Sequence, residues 1–179
     1  MNSFDEVQFF KNYVNHPERA FRLLMDEFRD KVFVSCLRAT SRRQDAEDLT
    51  QDVFIRIWKG LPKFRRKSSL NTWIYHIAWN VCASYLKKKG RLPETVSYTE
   101  ENDDDDHQWN LNLSVDDNRI KQFEKRQFIA KLFEALPETH RLVLTMFYLQ
   151  EQSYAEISSI TGWPLGTVKA TLHRAKANL

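Results

Sequence analysis

The chain has 179 residues, 42% hydrophobic and 13% aromatic, enough apolar material for packed cores and long enough for one domain or two small ones. The formal net charge is only +3, yet residues 1–92 carry 18 bases and 10 acids, 93–118 carry nine acids and no Lys or Arg, and 119–179 carry nine bases and five acids. Two basic blocks around an acidic strip point to a nucleic-acid partner. Four Gly and five Pro argue against an all-β fold, and no apolar run nears the roughly 18–20 residues of a membrane span. Met1–Lys11 has acids and aromatics where a signal peptide needs a basic and then an apolar stretch. Cys36 and Cys82 stand far apart in apolar surroundings, as buried thiols of a reducing cytoplasm would.

The pattern is helical throughout. Ser3 and Glu6 predict a capping box before a short helix with Val7, Phe9, Phe10 and Val14. Pro17 suits the start of a second helix, whose apolar face is Phe21, Leu24, Met25, Phe28, Val32, Cys36 and Leu37. After a polar turn at Thr40–Gln44, Asp45 is the expected cap of a third helix, with Glu47 and Asp48 at the positive end of its dipole. Leu49, Val53, Ile57 and Leu61 stripe that helix, with Phe54 and Trp58 beside the stripe, and Gly60 and Pro62 end it. A basic loop, Lys63–Ser69, leads into a fourth helix over about residues 70–89. Its stripe is Leu70, Ile74, Ile77, Val81 and Tyr85; Trp73, Tyr75, His76, Trp79 and Asn80 lie off it.

The strip 93–118 has little periodicity and four consecutive Asp, and reads as an acidic flexible linker. Four helices are expected in 119–179. The first carries Ile120, Phe123, Ile129, Leu132 and Phe133. The second spans Leu142–Leu149. The third opens on a capping box, Ser153 with Glu156, and turns Ile157 and Ile160 inward. After a turn at Gly162-Trp163, the fourth starts at Pro164 and buries Val168, Leu172 and Ala175. The fold class expected is therefore all-α: two small helical domains, 1–92 and 119–179, joined by the acidic linker.

Three constellations could carry function. Residues 153–178 have the form of a helix-turn-helix, because a helix entering the major groove needs a slim start (Gly166, Thr167) and polar or basic reach (Lys169, His173, Arg174, Lys176). A helical hairpin with a solvated basic face has the same periodicity. In Lys63–Arg91, bases interleave with Phe64, Trp73, Tyr75, Trp79 and Tyr85, a combination suited to single strands, since bases stack on rings while cations meet phosphates. The same rings could equally be core. Asp45, Glu47, Asp48 and Asp52 crowd one helix start without a His or Cys beside them, which favours capping and a charged contact surface over a metal site. The five His show no metal-ligand spacing, and no phosphate loop, nucleophile elbow or C-x-x-C is present. No cofactor, metal or catalytic residue is expected. A helix-turn-helix regulator that binds duplex alone and a DNA-processing enzyme are the other classes open at this point. The first would not need the aromatic loop; the second would need clustered carboxylates or His.

The run Asp45–Trp58, then Phe64 and Ser68–Asn80, resembles the promoter-melting domain of extracytoplasmic-function sigma factors of bacterial RNA polymerase. Leu136-Pro137, Arg141–Leu144, Tyr154–Ile157 and Gly166–Ala175 resemble the family's second domain, in the right order and with a linker between. The resemblance covers nearly the whole chain and implies roles. Phe64, Arg65, Ser68, Ser69, Trp73, Tyr75, His76 and Asn80 would line the site of the melted −10 strand and its flipped base, with Lys87 and Lys88 on phosphates. Extruding a base costs a few kcal/mol, and stacking on a ring returns about 1–3. Asp48, Leu49, Gln51, Asp52 and Phe54 would dock on the clamp of core RNA polymerase. Thr167, Lys169, Ala170, His173 and Arg174 would read the −35 duplex, with Arg141 and Ser153 on flanking phosphates. The linker would lie in the RNA-exit region. The implied protein is a non-enzymatic, cytoplasmic transcription initiation factor without membrane insertion, held in check by an anti-sigma factor. The chain departs from the family pattern at Ala170 and Thr171, where Ser and Arg are frequent, and at Trp79, where small or polar residues are usual. The linker acids are further expected to fold back on the basic faces.

Overall fold

The computed structural model describes residues 4–90 and 136–177. The linker, the helix expected at Ile120–Phe133 and the fold-back of the acids lie outside the described residues, as does Ser3. Seven α-helices stand among the described residues: α1 (Glu6–Asn15), α2 (Pro17–Thr40), α3 (Arg43–Gly60), α4 (Leu70–Lys88), α5 (Glu138–Tyr148), α6 (Tyr154–Thr161) and α7 (Leu165–Ala177).

Local chemistry explains most of the boundaries. Asp5, not Ser3, caps α1, its carboxylate accepting from the Gln8 amide. Pro17 opens α2 at the position where its missing N–H costs nothing. Ser41, in the left-handed region at φ 57°, closes that helix by donating to Leu37 C=O. Helix α3 begins two residues before Asp45, after an extended Arg42. Asp45 is therefore not its cap; it accepts instead from the Tyr85 hydroxyl of α4 at 2.7 Å. A turn of 3-10 helix at Leu61–Lys63 follows Gly60. Ser69 caps α4 by accepting from Thr72 N. The capping box of α6 forms as expected, with Ser153 Oγ accepting from Glu156 N and a Glu156 oxygen accepting from Ser153 N. Gly162, at φ 73°, is the left-handed residue that ends α6. Pro164 stands one residue ahead of α7, its carbonyl accepting from Val168 N.

Helices α2, α3 and α4 form the first bundle, with α1 laid across α2. The predicted stripes point inward: Leu24, Phe28, Val32 and Cys36 from α2, Val53 and Ile57 from α3, and Leu70, Ile74 and Val81 from α4 are buried. Each such side chain gives about 1.5–3 kcal/mol on leaving water. Both cysteines are buried free thiols. In the second segment α6 and α7 pack on α5 around Leu142, Leu144, Ile157, Ile160, Val168 and Leu172.

The two segments do not stand apart. Helix α5 lies along α2, α6 lies along α4, and one continuous cluster of buried residues runs through both bundles.

Candidate nucleic-acid interface

The basic loop owes its shape to three aromatic rings and an acid. Phe64 is half-buried, its ring 4.8 Å from Trp73 and stacked at 5.9 Å and 12° on Phe10 of α1. Gly60 leaves room for this arrangement, since a Cβ there would sit 2.9 Å from Trp73 Cζ2. Arg66, in the left-handed region at φ 53°, lays its guanidinium 3.9 Å over the Phe10 ring. Glu6 Oε2 accepts from Leu70 N at 2.9 Å, satisfying an amide that α4 itself leaves without a partner. Arg65, Lys67, Ser68 and Ser69 remain exposed around this base. The result is a short basic rim over an aromatic floor.

The structure sorts the residues that the resemblance assigned to the −10 strand. Phe64 and Trp73 come together in the loop, while Lys87 and Lys88 are exposed at the far end of α4. Tyr75 points the other way: it is 3% exposed, packs edge-on to Phe28, and burial pushes its phenol well above the ordinary range. It belongs to the core. His76 and Asn80 share a surface with each other, Asn80 Nδ2 donating to His76 Nε2 at 3.0 Å, and His76 Nδ1 donates to Ile160 C=O of α6 at 2.8 Å.

On α3, Asp48 and Gln51 are exposed, Leu49 is half-buried, and Asp52 pairs with Arg56 one turn on. Phe54 is buried against Phe21 of α2, so it supports this face from behind. Ile55 and Trp58 are the exposed apolar residues of the same helix, and Trp58 lies 4.9 Å from the Phe21 ring. Sequence periodicity put Trp58 beside the stripe and did not single out Ile55. The available signal was two large apolar residues three apart and off the buried stripe.

In the second segment, α7 presents Lys169, His173 and Arg174 outward, with Ala170 between them half-covered. Thr167 is turned inward and buried. Gly166 has open space about it, as the slim start of a groove-reading helix requires. Ser153 is occupied as the α6 cap. Arg141 is 5% exposed; it donates to Ser41 Oγ of the first bundle at 2.7 Å and pairs with Glu138 at 3.2 Å. In this arrangement it does not face a phosphate. Among the described residues, no three His, Cys, Asp or Glu are grouped so as to hold a metal, and no helix is long and apolar enough to cross a membrane.

Residues 24–92 match the Sigma-70 region 2 family, and 127–179 match Sigma-70, region 4. The chain is 32% identical to the ECF RNA polymerase sigma-E factor of Escherichia coli K12, over 89% of this chain and 84% of that protein. It is 29% identical to the RNA polymerase sigma-H factor of Pseudomonas aeruginosa, over 89% and 83% of the two chains. Among solved structures, CnrH in complex with the cytosolic domain of CnrY superimposes with a TM-score of 0.65 over 97% of this chain and 93% of that one, at 16% identity. The sigma factor RpoE in complex with the anti-sigma factor NepR from Bartonella quintana gives 0.62 over 88% and 92%, at 22% identity. The chain belongs to the extracytoplasmic-function sigma factors of RNA polymerase.

Proposed function

We propose that this sigma factor holds the melted −10 strand with the Lys63–Ser69 loop and the adjoining face of α4, and reads the −35 duplex with α7. The observation that carries the division of labour is the contrast between the two basic surfaces. The loop sets exposed cations over the Phe64–Trp73 floor, which suits unstacked bases. Helix α7 offers open space at Gly166 and the outward cations Lys169 and Arg174, which suit a major groove. On this reading residues 1–92 and 119–179 are the two DNA-binding domains, and 93–118 joins them.

The docking face toward core polymerase is assigned to Asp48, Leu49, Gln51 and Asp52 together with Ile55 and Trp58. Exposed apolar side chains next to exposed acids are what a large, partly basic partner surface takes. The chain does no chemistry of its own and acts in the cytoplasm, where its polymerase is. An anti-sigma factor is its assigned negative regulator, in keeping with the partner of the RpoE structure.

The test is reconstituted transcription. Purified protein with core polymerase on a promoter library is expected to initiate from one promoter class. Asn80→Ala and Arg174→Ala are each expected to abolish that initiation, the first at strand opening and the second at closed-complex binding. Sequence-specific duplex binding with no dependence on polymerase would overturn the reading.

A further inference from the structure

Helix α1 grips the basic loop with one of its faces. Glu6 and Phe10 stand one turn apart, and between them they touch the loop at three points. Glu6 accepts from the Leu70 amide where the loop enters α4, and the Phe10 ring meets both Phe64, stacked at 5.9 Å, and the Arg66 guanidinium at 3.9 Å. Helix α1 is itself seated on the bundle: the neighbouring Phe9 is buried and meets Phe4, which packs edge-on to Phe28 of α2. Beyond Phe64, Trp73 continues the row of rings at 4.8 Å. Arg66 thus differs from the exposed cations on either side of it, Arg65 and Lys67. Its guanidinium is engaged by a ring, and its backbone lies in the left-handed region at φ 53°. That conformation costs energy in a residue with a Cβ and persists where the surroundings hold it.

We propose that Phe10 and Arg66 are positioning residues for base selection: α1 fixes where the loop holds an unstacked base of the −10 strand, and Arg66 acts through the Phe10 ring and not on a phosphate. This rests on the assignment of the loop to the −10 strand. Between Lys63 and Leu70 the chain forms no helix, so the loop has no backbone ladder of its own to set its shape. The shape comes from the left-handed turn at Arg66 and from the contacts with Phe10. Hydrogen bonds to base edges tell bases apart when donors and acceptors are held within about 0.5 Å of their working positions. Contacts of cations with phosphates are far more tolerant of displacement, because a charge acts over several ångströms. Releasing the loop from α1 therefore relaxes the choice of base and leaves the salt-dependent part of binding in place.

The experiment uses holoenzyme, the full chain with core polymerase, on a promoter that it transcribes. Templates differ only in the base at the −10 position where substitution slows wild-type opening most. The readouts are the ratio of open-complex formation rates between the best base and the next, and the log–log salt slope of promoter affinity. A variant that is partly unfolded lowers every rate by the same factor, which cancels in the ratio. Phe10→Leu is expected to lower the ratio about tenfold, since both Phe64 and Arg66 lose their ring. Arg66→Asn, which accepts the left-handed backbone but carries no guanidinium, is expected to lower it about threefold and to leave the salt slope unchanged. Phe10→Tyr and Arg66→Lys keep the ring and the cation and are expected to stay within about twofold of wild type. Phe10→Leu/Arg66→Asn is expected to be no worse than Phe10→Leu alone, because both act through one contact. Wild-type ratios in Phe10→Leu and Arg66→Asn, or a slope lowered by about one in Arg66→Asn, overturn the inference. If Phe64→Ala still lowers the ratio in that case, only the positioning by α1 has failed. If it does not, the assignment of the loop to the −10 strand has failed as well.

Discussion

Replacing Glu6 by alanine takes away the carboxylate that accepts from the Leu70 amide, 64 residues along the chain. That amide opens α4, at the positive end of its dipole, and Leu70 itself is fully buried. A hydrogen bond to a charged acceptor contributes about 1.5–3 kcal/mol, and an acid at a helix N-terminus about 0.3–1. Glu6 is only half-buried, so water recovers part of the loss and the lower end applies. Glu6→Ala is expected to cost about 1.5 kcal/mol, or roughly 3–6 °C in Tm for a chain of this length. Glu6→Gln keeps a neutral acceptor in place and is expected to cost about half as much. Urea titration followed by circular dichroism measures both. Because Phe10 of the same helix supports Phe64, Glu6→Ala is also expected to loosen −10 strand binding by holoenzyme, with −35 duplex affinity unchanged. Glu6→Ala within about 0.3 kcal/mol of wild type would refute the reasoning, since it would mean the bond contributes no more than solvent does.

Three further outcomes follow from the same structure. Burial, and then the nearby charge of Arg174, holds His140 below its ordinary 6.5, so the unfolded chain takes up that proton first as pH falls. Stability is therefore full above pH 6.5 and lost on acidification below it, and His140→Gln is expected to flatten that decline in denaturation measured from pH 7.5 down. The contact with Cys36, and then burial, push the Cys82 thiol well above the usual thiol range, while the same contact holds Cys36 below it. Both are expected to resist a thiol-reactive disulfide reagent in the native protein and to react together on unfolding; fast reaction of either in native buffer would contradict their burial. Lys87→Ala and Lys169→Ala are each expected to lower the log–log salt slope of holoenzyme–promoter affinity by about one, and an unchanged slope removes that lysine from the phosphate contacts.

Much of the helical plan could be read directly, because the information is local. The 3.6-residue stripes of α2, α3 and α4 are short-range patterns, as is the Ser153–Glu156 capping box, and the structure reproduces them. The roles of single side chains were less legible where the partner is remote. Glu6 reads as half of a local capping box but reaches α4; Asp45 reads as a cap but meets Tyr85. Tyr75 and Trp79 are indistinguishable from base-stacking rings in sequence, since an aromatic near cations fits either use. Only the position of α2 and of Trp163 decides that both are covered.

The sequence by itself determined an all-helical chain with two basic blocks, a capped helix-turn-helix and an aromatic basic loop, because periodicity, capping and charge are properties of neighbouring residues. The tertiary structure alone decided that Arg141 meets Ser41, that Gln150 meets Ser35 and that the Ile160 carbonyl of α6 accepts from His76. Those contacts join residues some 80 to 115 positions apart. Their geometry depends on how two amphipathic bundles bury their remaining apolar faces against each other, and no local pattern carries that choice.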